Sequence, residues 1–370
     1  MEIVHIVLGK VNTNKMNGVN KVVDNLAKNQ IELGHNVTIW GITKNPIHSY
    51  PERNYHTVLF LDRSKFLLPK GIRKALKEVK NGTVFHFHGG FIPQFFFVAM
   101  VLKSKGFSYV FTSHGSYNKV AMERNYWKKR IFIRLFDKAL VNEAKSMHFI
   151  GKSEIAGAQD VFNFSDYALI PNGQSFNMEL FSQKRNLSGM TIFGFCGRLD
   201  IKTKGLDILF EGFAKFLEVS QNRKAELWVI GEGPEKQTLE RFSTQLGIAD
   251  NIRFWGSVFG ERKLKLMRNL DYMVLSSRNE GLPGVILEAA ALGVPSIVSK
   301  ETNMADYLEK YTAGFSLEEN NSEQIQKSMQ KATETKMNNR LEELQIGAVQ
   351  MVLKEFDWRS IAARVTKMYV

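Results

Sequence analysis

Apolar, β-branched runs alternate with amphipathic segments along most of the chain. In the first half, the apolar runs lie at residues 3–8, 35–40, 83–89, 108–114, 147–153 and 167–173. A helical pattern at residues 18–33 separates the first two of these runs. Those of the second half precede helical patterns over residues 320–370 and lie at residues 191–197, 225–233, 251–256, 271–277 and 294–299. Strands that alternate with helices in this way predict parallel sheets with helices on both faces. The sequence therefore predicts an α/β protein.

Two domains are expected from the length of the chain. It has 370 residues, whereas single hydrophobic cores usually stop growing at about 250–300 residues. Residues 175–190 mix polar and apolar positions without a regular period, so we place a linker there. We predict a Rossmann-like domain over residues 1–175, a second over residues 190–355, and a C-terminal helix at residues 356–370 that packs back on the first domain. Such sheets bind ligands at the carboxyl ends of their strands, so we expect a site in a cleft between facing domains.

Composition and charge narrow the class of protein. The chain is 44% hydrophobic and 24% charged, which is typical of a packed soluble globule. Its net charge of +13 favours an anionic partner, which could be nucleic acid, a membrane surface or a phosphorylated substrate. We find no zinc-finger spacing, RNA-binding aromatic signature or internal repeat, so we expect no nucleic-acid partner. With one cysteine, no export signal and no apolar run of membrane-spanning length, a cytoplasmic protein is expected.

Residues 271–299 read as a strand, a polar turn, a helix that begins near Pro283, and a second strand. Glu280 lies in the turn and Glu288 lies in the helix, with seven residues between them. The backbone N–H groups around Gly281 to Gly284 would lie at the positive end of the helix, where phosphate binds readily. A diphosphate placed there would extend one end toward Glu280 and the other toward Glu288. A lone helical glutamate more often faces water, but this combination favours a nucleotide-sugar site.

The stretch EGLPGVILEAAALGVPSI, residues 280–297, resembles the Glu-x7-Glu signature of the retaining glycosyltransferase family 4, whose fold is GT-B. The resemblance implies that Glu280 contacts hydroxyls of the donor sugar, that Glu288 binds the nucleotide ribose, and that Gly281, Leu282 and Pro283 line the donor site. It also implies retention of the anomeric configuration.

Two further segments of the second half resemble the same family. GRLDIKTKGLDIL, residues 197–209, is similar to the Gly-Arg and Lys-Gly pair that holds the donor diphosphate, which implies roles for Arg198 and Lys204, with Lys202 as the alternative lysine. WGSVFG, residues 255–260, implies that backbone near Val258 touches the base. In GEGPEK, residues 231–236, the absence of a third glycine argues against a dinucleotide site, and the segment resembles a structural turn of the family.

The first half offers two candidate residues. Gly18 precedes a predicted helix and could let the backbone approach the donor phosphate, although the family usually has two adjacent glycines where this chain has Asn17 and Gly18. His114 ends a predicted strand, and the resemblance implies that it contacts the donor sugar near the reacting carbon. His86 and His88 point to one face of their strand, but we see no third ligand of suitable spacing and assign them to structure.

No Asp-x-Asp pair occurs in the chain. Glycosyltransferases of the other major fold use that pair to hold a divalent ion on the diphosphate, so we expect charge neutralisation by side chains and a helix terminus, with no metal and no cofactor. The donor is expected to be a UDP- or GDP-linked sugar.

RNYWKKRIFIRLFDKAL, residues 124–140, interleaves cations with large apolar residues. Such a helix could lie on an anionic membrane that carries the acceptor, or it could be an ordinary helix with a solvated basic face. We therefore expect a retaining hexosyltransferase that acts on a glycan or polyprenyl-linked acceptor in bacterial surface polysaccharide biosynthesis. Such a protein could also bind peripherally to the inner face of the cell membrane. The alternatives are a nucleotide-sugar epimerase or sugar phosphorylase of the same fold, or a non-catalytic basic binding scaffold.

Overall fold

The computed structural model describes residues 1–12, 18–50, 52–123, 125–164, 166–182, 189–219 and 224–370. They divide into two compact units, which we call unit 1 (Met1–Gly173 with Trp358–Val370) and unit 2 (Gln174–Asp357). The described part of the segment that we interpreted as a linker, residues 175–190, belongs to unit 2. Residues 183–188 of that segment lie outside the described residues.

Each unit has one parallel sheet. The strands of unit 1 are β1 (Glu2–Leu8), β2 (Asn36–Thr43), β3 (His56–Leu61), β4 (Val84–His88), β5 (Tyr109–Thr112), β6 (Ser146–Phe149) and β7 (Tyr167–Leu169). The strands of unit 2 are β8 (Thr191–Cys196), β9 (Ala225–Ile230), β10 (Ile252–Gly256), β11 (Tyr272–Leu275), β12 (Ser296–Val298) and β13 (Gly314–Ser316).

The strand orders are β3-β2-β1-β4-β5-β6-β7 in unit 1 and β10-β9-β8-β11-β12-β13 in unit 2. In both sheets the order reverses beside the first strand, between β1 and β4 and between β8 and β11. Loops that leave neighbouring strands at such a point diverge and open a crevice, which is where ligands of doubly wound sheets bind. The α/β prediction with two Rossmann-like domains is confirmed.

Helices connect these strands. They are α1 (Gly18–Glu32), α2 (Ile72–Glu78), α3 (Pro93–Ser104), α4 (Lys119–Glu123), α5 (Tyr126–Phe132), α6 (Lys138–Asn142), α7 (Lys152–Gln159), α8 (Met178–Ser182), α9 (Ile201–Lys204), α10 (Leu206–Val219), α11 (Lys236–Gln245), α12 (Gly260–Arg268), α13 (Gly284–Ala291), α14 (Ala305–Tyr311), α15 (Ser322–Met337), α16 (Leu341–Glu355) and α17 (Trp358–Lys367). A π-helical turn, Ile133–Asp137, joins α5 to α6. Within the described ranges, no helix combines the length and the apolar content that crossing a membrane requires.

The last helix is part of the core of unit 1. Helix α17 packs against α1, and it buries Ile361, Ala362 and Val365 in one hydrophobic cluster with residues of β1 and β2. A Cβ atom at Gly173 would lie 2.4 Å from the ring of Trp358, so only glycine allows the chain to pass under this tryptophan. One face of the sheet in unit 1 is therefore closed by the first and last helices of that unit.

Candidate functional site

The loops after β8 and β11 meet at the switch point of unit 2. Gly205 ends α9 with φ 63°, and a Cβ atom there would lie 2.0 Å from the carbonyl oxygen of Ser276, at the end of β11. The Ser276 hydroxyl donates to the Gly205 carbonyl at 2.8 Å. Since glycine adopts positive φ at no steric cost, this residue lets α9 lie directly on the loop that follows β11.

That contact brings Lys204 to Glu280. The Lys204 ammonium donates to Glu280 Oε1, and their side chains are only 23% and 16% exposed. The Ser277 hydroxyl also donates to Glu280 Oε1, at 3.2 Å. Asn303 fixes the backbone on both sides of the carboxylate, because its Nδ2 donates to the carbonyls of Glu280 and Gly281 at 2.8 and 2.9 Å. The side chain of Lys202, the alternative lysine, is exposed.

Arg278 ties the two loops together. Its guanidinium makes a bidentate pair with Asp207, at 2.9 and 2.7 Å, and it donates to the carbonyls of Ile201 and Lys202 at 3.3 and 3.2 Å. A bidentate arginine–carboxylate pair fixes orientation as well as distance. Sequence reasoning missed this pair, since Asp207 and Arg278 belong to separate segments and neither stands out by its local pattern.

Helix α13 starts directly after the Glu280 loop. Pro283 is its N-cap, and a Cβ atom on Gly284 would meet nothing within 4 Å. Gly281 and Leu282 are partly exposed. No side chain caps this helix, and the Ile286 N–H donates to the Pro283 carbonyl at 3.0 Å. An anion at the helix start would therefore meet the N–H groups of Gly284 and Val285.

Glu288 does not face bulk solvent. Its side chain is 13% exposed and pairs with Lys263 of α12, which is 22% exposed. Lys263 also lines a cavity of about 280 Å³ between the ends of β8, β9 and β10, together with Arg198 and Val258. The cavity adjoins the point where Gly231, with φ 144°, would place a Cβ atom 1.9 Å from the Gly197 carbonyl. Lys263 thus pairs with Glu288, the candidate for ribose binding, and lines the same cavity as Val258, the candidate for base binding. Lys263 was not identified from the sequence.

Cys196 lies in the wall of this cavity. Burial raises the pKa of its thiol to about 11, so the thiol is protonated near neutral pH and is not a nucleophile. The cavity is therefore suited to binding rather than to covalent chemistry.

In unit 1, His114 lies just after β5 with φ 51°. Its turn is held by the buried carboxylate of Glu154, which accepts from the Ser113 hydroxyl, the Gly115 amide and, at 3.1 Å, the Ile150 amide. Burial raises the pKa of Glu154. Positive φ is uncommon for a residue with a side chain, and such strain is concentrated at functional sites.

Two other predictions for unit 1 concern Gly18 and the histidine pair of β4. Gly18 is the first residue of α1, and a Cβ atom there would meet nothing within 4 Å; residues 13–17 before it, with Asn17, lie outside the described residues. The third histidine that we did not find by spacing is His5 of β1, whose ring lies with those of His86 and His88, with one nitrogen of each within 4.8 Å of the others.

The predicted basic segment is helical from Tyr126 to Asn142 through α5, the π-helical turn and α6, while residue 124 lies outside the described part. Trp127, Ile131 and Leu135, spaced by four, are 76%, 59% and 60% exposed. We call these three residues the apolar stripe. Exposed cations flank it at Lys128, Arg130, Arg134 and Lys138. A solvated basic face alone does not explain three large apolar side chains in water.

Comparisons with known proteins cover both units. A model described as Glycosyltransferase Family 4 matches residues 16–174, and a model described as Glycosyl transferases group 1 matches residues 177–346. Together they match most of the chain.

Curated relatives match over part of their length. A phosphatidyl-myo-inositol mannosyltransferase of Mycobacterium leprae is 26% identical over 210 residues, which is 55% of this chain and 54% of the relative. The lipopolysaccharide core biosynthesis glycosyltransferase LpsE of Rhizobium meliloti is 31% identical over 100 residues, 27% of each chain. The matches thus span about half and about a quarter of these two relatives.

A solved structure matches over the whole chain. The Anabaena protein HepE in complex with UDP and glucose has a TM-score of 0.74 at 15% identity, over 99% of this chain and 98% of that one. At this identity the likeness shows a common fold.

Proposed function

The chain belongs to glycosyltransferase family 4 and has the GT-B fold, and from this premise we propose that it transfers a hexosyl unit from a nucleoside diphosphate sugar to a glycan or polyprenyl-linked acceptor, with retention at the anomeric carbon. The observation that carries the proposal is the arrangement around α13. Glu280 and Glu288 flank the open start of this helix, and each is paired with a lysine from another element.

The donor-binding part of the proposal is supported by charge and space. Arg198, Lys204 and Lys263 supply three cations near the exposed start of α13, and cations with free N–H groups stabilise a diphosphate as negative charge develops on it. The cavity beside Val258 has room for the base. HepE was solved with UDP, which favours a uridine nucleotide over a guanosine nucleotide as the first donor to test.

We propose that the reaction itself needs no metal or cofactor. The acceptor hydroxyl attacks the anomeric carbon from the side of the leaving group, the bond from that carbon to the diphosphate oxygen breaks, and the hydroxyl proton passes to a donor phosphate oxygen. The protein then contributes position and electrostatic stabilisation. Glu280 accepts from hydroxyls of the donor sugar, Glu288 accepts from the ribose, Gly18 admits the phosphate, and His114 accepts from a hydroxyl of the bound sugar.

A direct test replaces Glu280 by Gln, which keeps the shape of the side chain and removes its charge. We expect the transfer rate to fall by about 10²–10³-fold, the scale for one electrostatic contact to a transition state. Glu318→Gln, at an exposed position of the same unit, is the matched control and should leave the rate unchanged. A panel of nucleotide sugars in a thermal-shift assay identifies the donor beforehand.

The same assay separates the alternatives. An epimerase would convert the donor when no acceptor is present. A phosphorylase would form a sugar phosphate when inorganic phosphate is added as the co-substrate. A Glu280→Gln variant with the wild-type transfer rate would refute the assignment of the site.

We further propose that the acceptor lies at an anionic membrane, which the apolar stripe contacts. Three exposed apolar side chains bordered by cations match the composition of helices that lie in the headgroup region, and the lipid anchor of a polyprenyl-linked acceptor would be reached from there. The bacterial surface-polysaccharide role is supported by the likeness to the lipopolysaccharide core enzyme LpsE.

Cosedimentation with vesicles of anionic lipid tests the membrane proposal. We expect binding at low salt that weakens in Ile131→Asp and in Arg134→Glu. Lys327→Glu makes the same charge change at an exposed position of unit 2 and should bind like the wild type. Equal binding by all of these proteins, or no binding at low salt, would refute the proposal.

A further inference from the structure

Five histidines form a hydrogen-bonded group on one face of the sheet in unit 1. They are His5 of β1, His86 and His88 of β4, His114 after β5, and His148 of β6. The register places His5 beside His86 and His148 beside Thr112. Residues Gln30 of α1 and Thr366 of α17, with Tyr369 just after α17, close the group from the helix side.

These rings are neutral near pH 7. His5, His86, His88 and His148 are at most 4% exposed. Burial lowers the pKa of His5 and of His148 to about 4, and that of His114 to about 3. A neutral imidazole carries a proton on one nitrogen and a lone pair on the other, so each ring donates once and accepts once.

The direction of the hydrogen bonds begins at Thr366. Its hydroxyl proton is donated to the Ala362 carbonyl at 2.8 Å, so its oxygen can only accept from Gln30. Gln30 Nε2 therefore faces Thr366, at 3.4 Å, and Gln30 Oε1 faces His5 Nε2, at 2.7 Å. An amide oxygen only accepts, so the proton of His5 lies on Nε2.

The same rule carries the direction to His114. His5 Nδ1 has the lone pair and accepts from His88 Nε2 at 2.8 Å. His88 Nδ1 then has the lone pair and accepts from His114 Nε2 at 3.0 Å. Step by step, the proton of His114 is placed on Nε2, which leaves Nδ1 as a hydrogen-bond acceptor on the one ring of the five that is partly exposed.

A second chain of hydrogen bonds, which does not involve Thr366, determines the orientation of the Gln30 side-chain amide. The Ile170 carbonyl accepts from His148 Nε2 at 2.8 Å, so His148 Nδ1 accepts from the Thr112 hydroxyl at 2.8 Å. The Thr112 oxygen then accepts from His86 Nε2 at 2.6 Å.

The chain ends at Tyr369. Because its Nε2 carries the proton, His86 accepts at Nδ1 from the Tyr369 hydroxyl, at 2.7 Å. The Tyr369 oxygen is left to accept from Gln30 Nε2 at 3.3 Å. Both chains therefore require the same orientation of the Gln30 amide, although they are anchored at different backbone carbonyls.

We propose that Gln30, His5 and His88 are positioning residues that hold His114 in the tautomer with its proton on Nε2, so that Nδ1 accepts a hydrogen bond from a hydroxyl of the bound sugar. The hydrogen bond from the sugar hydroxyl to His114 rests on the proposed function, whereas the tautomer of His114 does not. In this tautomer, Nδ1 of His114 can accept a hydrogen bond from a substrate hydroxyl but cannot donate one to a substrate oxygen.

A metal ion is the competing occupant of this group, since one nitrogen of each of His5, His86 and His88 lies within 4.8 Å of the others. All six nitrogens of these rings already make hydrogen bonds of 2.6–3.0 Å. A zinc ion would need deprotonated nitrogens at about 2.0–2.1 Å, so it would have to break this arrangement. The geometry favours the hydrogen-bonded chain.

The test is a long-range ¹H–¹⁵N correlation spectrum of the full chain labelled at histidine nitrogen, at neutral pH, with the His114 signals identified by their loss in His114→Gln. We expect His114 with a protonated Nε2 and a bare Nδ1. Gln30→Met removes the anchoring oxygen three links away and should populate the second tautomer of His114.

A matched pair of variants tests the middle link. His88→Asn places an amide oxygen where Nδ1 lies and should keep the tautomer of His114, whereas His88→Gln places its amide near Nε2 and should release it. His56→Gln, at an exposed position, should change nothing. Circular dichroism melts show that each variant is folded.

Activity is measured separately. If the second tautomer reaches half of the population in Gln30→Met, kcat/KM should fall by about twofold, because only the competent fraction binds. The proposal is overturned by a wild-type His114 protonated on Nδ1, by a tautomer that neither Gln30→Met nor His88→Gln changes, or by one equivalent of zinc in the purified protein. The expected spectra without any transfer activity would overturn the proposed function alone.

Discussion

Acidification should destabilise unit 1 far more than unit 2, because all eight histidines of the chain lie in unit 1. Four of them, His5, His86, His88 and His148, are buried with lowered pKa values. Histidines in the unfolded chain titrate near pH 6.5. Between that pH and the lower pKa of the folded state, the unfolded chain binds more protons, so stability is lost as the pH falls.

The size of the effect follows from this linkage. From about pH 7.5 to about pH 5.5, each buried histidine costs roughly 1.3 kcal/mol, or about 5 kcal/mol for four. Asp137 acts in the opposite direction, since burial raises the pKa of its carboxyl to about 7. It takes up a proton in the folded state while the unfolded chain stays ionised, which stabilises unit 1 by about 2 kcal/mol over the same range. The net loss from these five groups is roughly 3 kcal/mol. His114, whose pKa is lowered to about 3, adds to the loss, and Glu154, whose carboxyl pKa is raised by burial, reduces it.

Hydrogen exchange read by mass spectrometry at several urea concentrations measures both units in one experiment. Peptides from β1 and β4 report on unit 1, and peptides from β8 and β11 provide the internal control. We expect the free energy of opening to fall by about 3 kcal/mol in the first set between the two pH values. In the second set it should change far less.

Asp137→Asn sharpens the test. The Phe91 amide and the Tyr117 hydroxyl donate to this side chain, and asparagine keeps an oxygen that accepts from them. Without a titrating carboxyl, the loss should grow to about 5 kcal/mol. Equal pH dependence in the two units, or a smaller loss in Asp137→Asn than in the wild type, would refute the neutral-histidine interpretation.

Three further predictions concern unit 2. Glu288→Gln should weaken binding of the nucleotide by about tenfold or more, the value of one charge-assisted hydrogen bond; calorimetric titration measures it, and an unchanged Kd would contradict the ribose assignment. Gly205→Ala should lower the free energy of unfolding by about 1–3 kcal/mol or more, since its φ is 63° and the new Cβ would lie 2.0 Å from the Ser276 carbonyl; chemical denaturation measures it, with an exposed glycine such as Gly189 as the control. Transfer in excess EDTA should proceed at the untreated rate, and loss of activity that Mg²⁺ restores would show a metal requirement.

The central strands were predicted from the sequence, and two edge strands were missed. Buried strands such as β4 and β8 have side chains covered on both faces, so they read as continuous apolar runs. Strand β3, HTVLFL, lies at the edge of its sheet and buries Phe60. Its apolar residues 58–61 are typical of a strand, so β3 could have been predicted. Strand β13 has only three residues, which is too short to give a clear pattern.

The candidate site could be predicted where its residues share one segment. Glu280 and Glu288 were identified from their spacing, because the turn and helix between them fix their separation. The partners Lys204 and Lys263 come from helices α9 and α12, far from Glu280 and Glu288 in the sequence, and only the first was identified. The histidine group is the extreme case: the pattern places His86 and His88 on one face of a strand, but strand order alone brings His5 beside them.

The two lysine–glutamate pairs explain how the proposed donor site could remain folded without a ligand and still bind one. An acid as little exposed as Glu280 or Glu288 would be costly without a partner, so Lys204 and Lys263 satisfy them in the free protein. Breaking a largely buried pair is costly because it leaves a charge unpaired, but a ligand that supplies a new partner to each charge would avoid that cost. A diphosphate would attract both ammonium groups and leave the carboxylates to the hydroxyls at its two ends. In the proposed reaction, the same cations would pair with the two glutamates before binding and stabilise the leaving group during transfer.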